Sequence, residues 1–138
     1  MIVKNDINEL NKIYSELDRI SKEHGFSEAL YNELCLCVEE VFSNIIKFAW
    51  DDDKEHNIEI FFEYNEQVKK FTITIVDDGK PFNPLEVEAP DLSLDLFDRE
   101  IGGLGIFIVT NIMNKIEYNR LESKNKFKMT KDVDQCNS

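Results

Sequence analysis

Apolar residues along this chain recur first with the period of a helix and then with that of a strand. From Asp6 to about Glu23, residues Ile7, Leu10, Ile13, Tyr14, Leu17 and Ile20 fall at helical spacing, which predicts an amphipathic helix capped by Asp6. Gly25 ends it, and Ser27 opens a longer helix whose stripe runs Leu30, Leu34, Val38, Val41, Ile45 and Ala49. The charged run "DDDKEHN" breaks that helix. Two segments of period-two alternation follow, residues 58–64 and 70–76, joined by a polar turn, and they predict an antiparallel hairpin. "DDGKPFNP" stops the second strand, and the residues from there to Arg99 show no strong period. "GGLGIFIVTNIM" starts in glycines and becomes a helix apolar nearly all round, the pattern of a buried helix. "KIEYN" and "KFKMTK" predict two further short strands, Ile2 and Val3 a short first one, and residues 132–138 a frayed tail.

Helices, a hairpin, a loop, a helix and a second hairpin in that order imply an α+β two-layer sandwich. Its sheet would be a mainly antiparallel mixed sheet, with about three helices on one face. The 138 residues suit a single domain, 1–138, without internal repeats.

Composition narrows the function classes. A net charge of −12 opposes non-specific nucleic-acid binding, which depends on neutralising phosphates with Lys and Arg. No apolar run approaches the roughly 18 residues of a membrane span, and "MIVKNDINEL" lacks the basic start and apolar stretch of a signal peptide, so a cytoplasmic setting is expected. Cys35, Cys37 and Cys136 are odd in number, and the first two would leave a helix on different sides, which disfavours a disulfide or metal cluster. The isolated His24 and His56 are expected to be solvated or hydrogen-bonded to neighbours.

Three sets of polar residues interrupt this pattern. Glu40 and Asn44 stand one helical turn apart, a carboxylate beside an amide. A carboxylate there could serve as a general base, and an amide oxygen is a hard donor suited to Mg²⁺. Taken alone, such a pair is more often two solvated polar residues on an exposed helix face. In "KFTITIVDDGKPF", alternation puts Asp77 on the side of Phe71, Ile73 and Ile75, where a carboxylate needs donors such as an adenine amine and ordered water. Asp78-Gly79 by itself is also a common turn. Gly102, Gly103, Leu104 and Gly105 lead into a helix, where free backbone N–H groups and the positive helix end can cradle phosphates. The turn is neither a Walker A loop nor a G-x-G-x-x-G fingerprint, and close backbone packing accounts for it as well.

Together, and in this order, these stretches carry a resemblance. "EEVFSNIIKFAW", "VDDGKPFNP" and "REIGGLGIFIV" are similar to the N-box and the two glycine boxes of the ATP-binding domain shared by gyrase, Hsp90, histidine kinases and MutL, the Bergerat fold. Within that family the chain looks like the small bacterial anti-sigma-factor serine/threonine kinases, over about residues 3 to 131. The resemblance implies ATP and Mg²⁺ as cofactors, with Glu40 as general base, Asn44 as Mg²⁺ ligand and Asp77 reading adenine. It makes Gly79 the residue that lets the base approach, and Gly102, Gly103, Leu104 and Gly105 the phosphate turn. It also implies an ATP lid at 83–101, with Arg99 toward the γ-phosphate.

It further implies a STAS-domain anti-anti-sigma partner phosphorylated on Ser or Thr, possible sequestration of a sigma factor, and a homodimer. Neither direct nucleic-acid binding nor a membrane is implied. The rival function is a non-catalytic, ATP-dependent binding module. Two positions differ from the family's usual pattern: Phe48 stands where histidine is frequent, and "ESKNKF" has no glycine before the last strand, although Asn125 keeps the polar position that follows it.

Overall fold

The structure, a computed structural model, describes residues 1–83 and 103–133. Arg99, Gly102, all of the expected lid beyond Asn83, Cys136 and the tail after residue 133 lie outside those residues.

A short strand β1 (Ile2–Lys4) leads into a single 3₁₀ turn at Ile7–Glu9, and then into helix α1 (Leu10–His24). The expected helix therefore begins as a 3₁₀ turn, with Asp6 accepting the Asn8 N–H at 2.9 Å. Gly25 closes α1 with φ 71°, a left-handed conformation that costs glycine no Cβ clash. Helix α2 (Glu28–Phe48) starts where Ser27 Oγ accepts the Leu30 N–H, and it buries Leu34, Cys37, Val38, Val41 and Phe42. Strands β2 (Asn57–Asn65) and β3 (Lys70–Asp77), helix α3 (Gly103–Ile112), and strands β4 (Lys115–Leu121) and β5 (Lys124–Asp132) complete the order. Asp132, expected in the frayed tail, instead ends β5 and is salt-bridged to Lys70 at 2.9 Å.

The sheet order is β1-β2-β3-β5-β4, and every pairing is antiparallel, so the expected mixed sheet is instead wholly antiparallel among the described residues. Register places Ile58, Ile60, Phe71, Ile73, Ile75, Phe127 and Met129 on one face, where they pack with Ile13, Leu17, Leu34, Val38, Phe42 and Val109 of the helices. Helix α3 departs from the expectation of all-round burial. Ile106 and Val109 are buried, whereas Phe107 is 37% exposed, because a helix in a two-layer sandwich has only one side toward the sheet.

The β4–β5 hairpin turns through Glu122 (φ 52°) and Ser123 (φ 66°). A two-residue turn with both centres at positive φ favours Asn-Gly, so the glycine missing from "ESKNKF" is one that the backbone itself would favour.

Candidate functional site

The site assembles where three interruptions of the apolar pattern meet at one end of the sandwich. On β3 the last inward position is Asp77, 5% exposed. Its register partner on β5 is Asn125, which interrupts the Phe127, Met129 series as Asp77 interrupts the Phe71, Ile73, Ile75 series. The two interruptions satisfy each other. Asn125 Nδ2 donates to Asp77 Oδ1 at 3.0 Å and to the Lys80 carbonyl at 2.9 Å, while its Oδ1 accepts from the Tyr118 hydroxyl. Asp77 Oδ1 also accepts the Gly79 N–H at 2.9 Å, and Arg120 donates to the Gly79 carbonyl at 2.7 Å. Burial nonetheless pushes the Asp77 carboxyl above its ordinary range, because these donors only partly replace water and Asp78 adds a like charge.

Helix α2 supplies the second side. Asn44 is buried, and its amide nitrogen has no hydrogen-bond partner. An orphaned buried donor costs about 1–3 kcal/mol, a cost that an acceptor on a bound ligand or water would relieve. One turn earlier, Glu40 is half-buried, and its carboxylate lies directly against Gly105 in the first turn of α3. A Cβ added at Gly105 would sit 2.0 Å from Glu40 Oε2, so only glycine leaves the carboxylate its position. Glu39 is removed from the site: it accepts the Tyr14 hydroxyl at 3.1 Å, and burial together with that contact raises the tyrosine to about 12.

The structure thus gathers Glu40, Asn44, Asp77, Gly79 and Gly105 at the same end, with Gly103 and Leu104 in the backbone that opens α3. Gly79 packs against the end of α2. Its bare face meets α2, where a Cβ would come within 2.4 Å of Ala49 Cβ and 2.5 Å of the Ala49 carbonyl, and Lys80 N–H donates to that carbonyl at 2.8 Å. Absence of a Cβ is thus what lets β3 end this close to α2.

Between Asn44, Asp77, Asn125 and Tyr118, the described residues enclose a cavity of about 20 Å³. That is room for about one water, against the roughly 300–1,000 Å³ of small-molecule pockets. Phe82 walls the cavity, its ring 5.5 Å from that of Phe48.

A cation fits this donor set in one way only. No group of three or more His, Cys, Asp or Glu side chains among the described residues could hold a metal. An ion here would take the Asn44 amide oxygen and fill its other positions from phosphates and water, the habit of Mg²⁺. Cys35 and Cys37 are free thiols, and burial raises Cys37 to about 12. His24 and His56 pair with Glu66 and Asp52, at 3.2 and 2.7 Å.

Sequence reasoning identified Asp77 but missed the Tyr118, Arg120 and Asn125 network that holds it. The signal was available in Asn125, the one inward-facing polar residue ahead of Phe127 and Met129. It also missed Trp50, which donates to Asp78 at 3.1 Å and stacks on His56.

Residues 3–131 match the family described as Histidine kinase-like ATPase domain. The serine/threonine-protein kinase BtrW of Bordetella bronchiseptica is 25% identical over 83% of this chain and 79% of its own length. The serine-protein kinase RsbW of Listeria monocytogenes is 27% identical over 73% of this chain and 66% of its own, so the chain spans just under two thirds of that relative. The histidine kinase domain of an Erythrobacter litoralis blue-light activated histidine kinase superposes with a TM-score of 0.56, at 14% identity, over 92% of this chain and 60% of that one. At that identity the superposition speaks for the fold alone. No described helix is long and apolar enough to cross a membrane.

Proposed function

The chain belongs to the histidine kinase-like ATPase domain family, and from that premise we propose that it is an ATP-dependent serine/threonine protein kinase acting on a STAS-domain anti-anti-sigma partner. The observation that carries the reading is Glu40: its carboxylate is seated against Gly105 at the positive end of α3, one turn from the buried Asn44, whose amide nitrogen has no partner. The relatives named as serine kinases support the substrate class. Sequestration of a sigma factor in a cytoplasmic setting belongs to the same reading.

In the transfer, the Glu40 carboxylate takes the proton of the partner's Ser or Thr hydroxyl as that oxygen bonds to the γ-phosphorus, and the bond to the β–γ bridging oxygen breaks to release ADP. Asp77 accepts the adenine amine, held in orientation by Asn125 and the Gly79 N–H. The free N–H groups at the start of α3, from Gly103 through Leu104 to Gly105, receive phosphate oxygens together with Gly102. Arg99, which lies outside the described residues, is the cation the resemblance assigns to the γ-phosphate. The Asn44 amide oxygen is the group that would hold Mg²⁺, whose chemistry when bound is to neutralise phosphate charge.

The test is transfer of labelled γ-phosphate from ATP to a purified STAS protein, with nucleotide affinity measured alongside. Glu40→Gln is expected to bind ATP nearly as well as the parent and to transfer about two to four orders of magnitude more slowly. Equal transfer by the variant removes Glu40 from its role. Binding without any transfer by the parent makes the protein a nucleotide-dependent binding module instead.

A further inference from the structure

Two stretches that carry site residues are tied together just outside the site. Helix α2, which bears Glu40 and Asn44, is capped by Ala49 with Trp50 next in the chain, and the turn after β3 runs from Asp77 to Lys80. Three polar links join them. The Lys80 N–H donates to the Ala49 carbonyl at 2.8 Å, the Lys80 ammonium pairs with Asp51 at 2.9 Å, and Trp50 Nε1–H donates to Asp78 Oδ1 at 3.1 Å. The first is backbone packing, and the second joins two exposed side chains, a kind of pair that contributes little. The third differs because its donor is fixed in place.

Trp50 is the chain's single tryptophan and is half-buried. Its ring lies flat on that of His56, with centroids 4.3 Å apart and planes 1° from parallel. His56 is held in turn: its N–H donates to Asn5 Oδ1 at 2.8 Å, its carbonyl accepts the Asn5 N–H at 3.0 Å, and its Nε2 meets Asp52 at 2.7 Å. An indole so stacked presents its N–H in one direction. At the other end of the bond, Asp78 stands between the buried Asp77 and Gly79, whose N–H donates to Asp77. Asp78 is exposed, and its negative charge opposes that of Asp77. The indole N–H is the side-chain partner that fixes where that charge sits.

The geometry points to Trp50 as a positioning residue for the nucleotide: by holding the Asp78 carboxylate, it leaves Asp77 as the one carboxylate of the turn that accepts the adenine amine. This rests on the function proposed above, in which Asp77 reads the base, and adds to it a residue that does not touch the ligand. Released from the indole, the Asp78 carboxylate rotates freely one residue from Asp77, where its charge opposes the carboxylate that must accept the base. A purely structural part for Trp50, as a cover for the loop between α2 and β2, would cost the same whatever residue stands at 78. A positioning part makes the cost depend on the Asp78 charge.

Calorimetric titration of ATP with Mg²⁺ into the full chain tests this as a double-variant cycle. Trp50→Phe keeps an aromatic ring for His56 and loses the donor, and it is expected to bind ATP roughly 3- to 10-fold more weakly, the scale of coupling through a residue remote from the ligand. Asp78→Asn keeps an acceptor for the indole, loses the charge, and is expected to bind like the parent. Trp50→Phe combined with Asp78→Asn is expected to return to within about twofold of the parent, because no carboxylate remains to be held. Damage to the fold cannot produce that recovery. Should Trp50→Phe fail to fold, β-(3-benzothienyl)alanine in place of the single tryptophan keeps the ring shape and the stack, removes only the N–H, and carries the same expectation. A parent that binds no ATP overturns the function proposed above and this inference with it. Where the parent binds, parental affinity in Trp50→Phe, or an equal loss with and without Asp78→Asn, overturns this inference alone.

Discussion

Gly105→Ala separates the chemistry of the site from the stability of the fold. The alanine Cβ would lie 2.0 Å from Glu40 Oε2, and since Cβ contacts essentially never fall under 3.0 Å, the carboxylate must retreat by at least 3.0 − 2.0 = 1.0 Å. That retreat is inexpensive for folding, because the carboxylate is the free end of a flexible side chain. Gly105 lies within α3 and not at positive φ, where alanine is favoured over glycine by about 1 kcal/mol. Stability is therefore expected to stay level or rise slightly. Transfer is expected to fall about 100-fold, the usual scale for a misplacement of about 1 Å in a reacting group. Gly79→Ala is the control of opposite character. Its Cβ meets Ala49 Cβ at 2.4 Å and the Ala49 carbonyl carbon at 2.8 Å, the backbone at the end of α2, which cannot swing aside. Overpacking of this kind costs about 1–3 kcal/mol, a fall of about 4–12 °C in Tm at the common scale of about 4 °C per kcal/mol. Thermal melts read beside γ-phosphate transfer distinguish the two variants. A Gly105→Ala protein that melts like the parent and transfers phosphate at the parental rate would refute the placement of Glu40 as base.

Three further outcomes follow from the network around Asp77. Because burial raises the folded-state pKa of Asp77 above its ordinary 3.8, the folded chain binds the proton more tightly than the unfolded one, and this group's contribution to stability declines as pH rises from the ordinary carboxylate range through the raised value. Asp77→Asn, whose amide oxygen still accepts from Gly79 and Asn125, is expected to melt no lower than the parent at neutral pH and to flatten that part of the pH–stability profile. Its ATP affinity should drop about 10- to 100-fold, as for a lost charged hydrogen bond, and calorimetric titration showing parental affinity would exclude Asp77 as the adenine acceptor. Tyr118→Phe leaves Asn125 Oδ1 without its donor and should cost about 1–3 kcal/mol in a denaturant titration; an unchanged midpoint would mean that the hydroxyl contributes nothing to holding Asn125. Ser123→Gly relieves a non-glycine residue at φ 66° and is expected to gain about 0.5–1 kcal/mol by the same measurement, a loss counting against strain in that turn.

Much of the molecule was legible from local pattern. Helical and strand periods placed every described element to within a few residues, since burial of one face imposes its period on the residues that line it. Asp77 was recognisable as an inward carboxylate from alternation alone, and Glu40 was separable from Glu39 by helical phase, a distinction the Tyr14 contact to Glu39 makes physical. Asn125 was visible as a polar interruption on its own strand but was not assigned as the partner of Asp77, because its meaning depended on the pairing of β5 with β3 across 48 residues of sequence.

By itself, then, the sequence determined the helix phases, the strand alternation and the identity of the residues breaking both patterns, because these are set by neighbours within a few positions. Only the tertiary structure decided which breaks meet. It set the bare Cα of Gly105 against Glu40, turned Gly79 toward Ala49, brought Phe82 and Asp77 to the lining of one small cavity, and laid an acidic and a basic strand on either side of β3. Each of these follows from pairing register and helix docking, which depend on residues far apart in the chain.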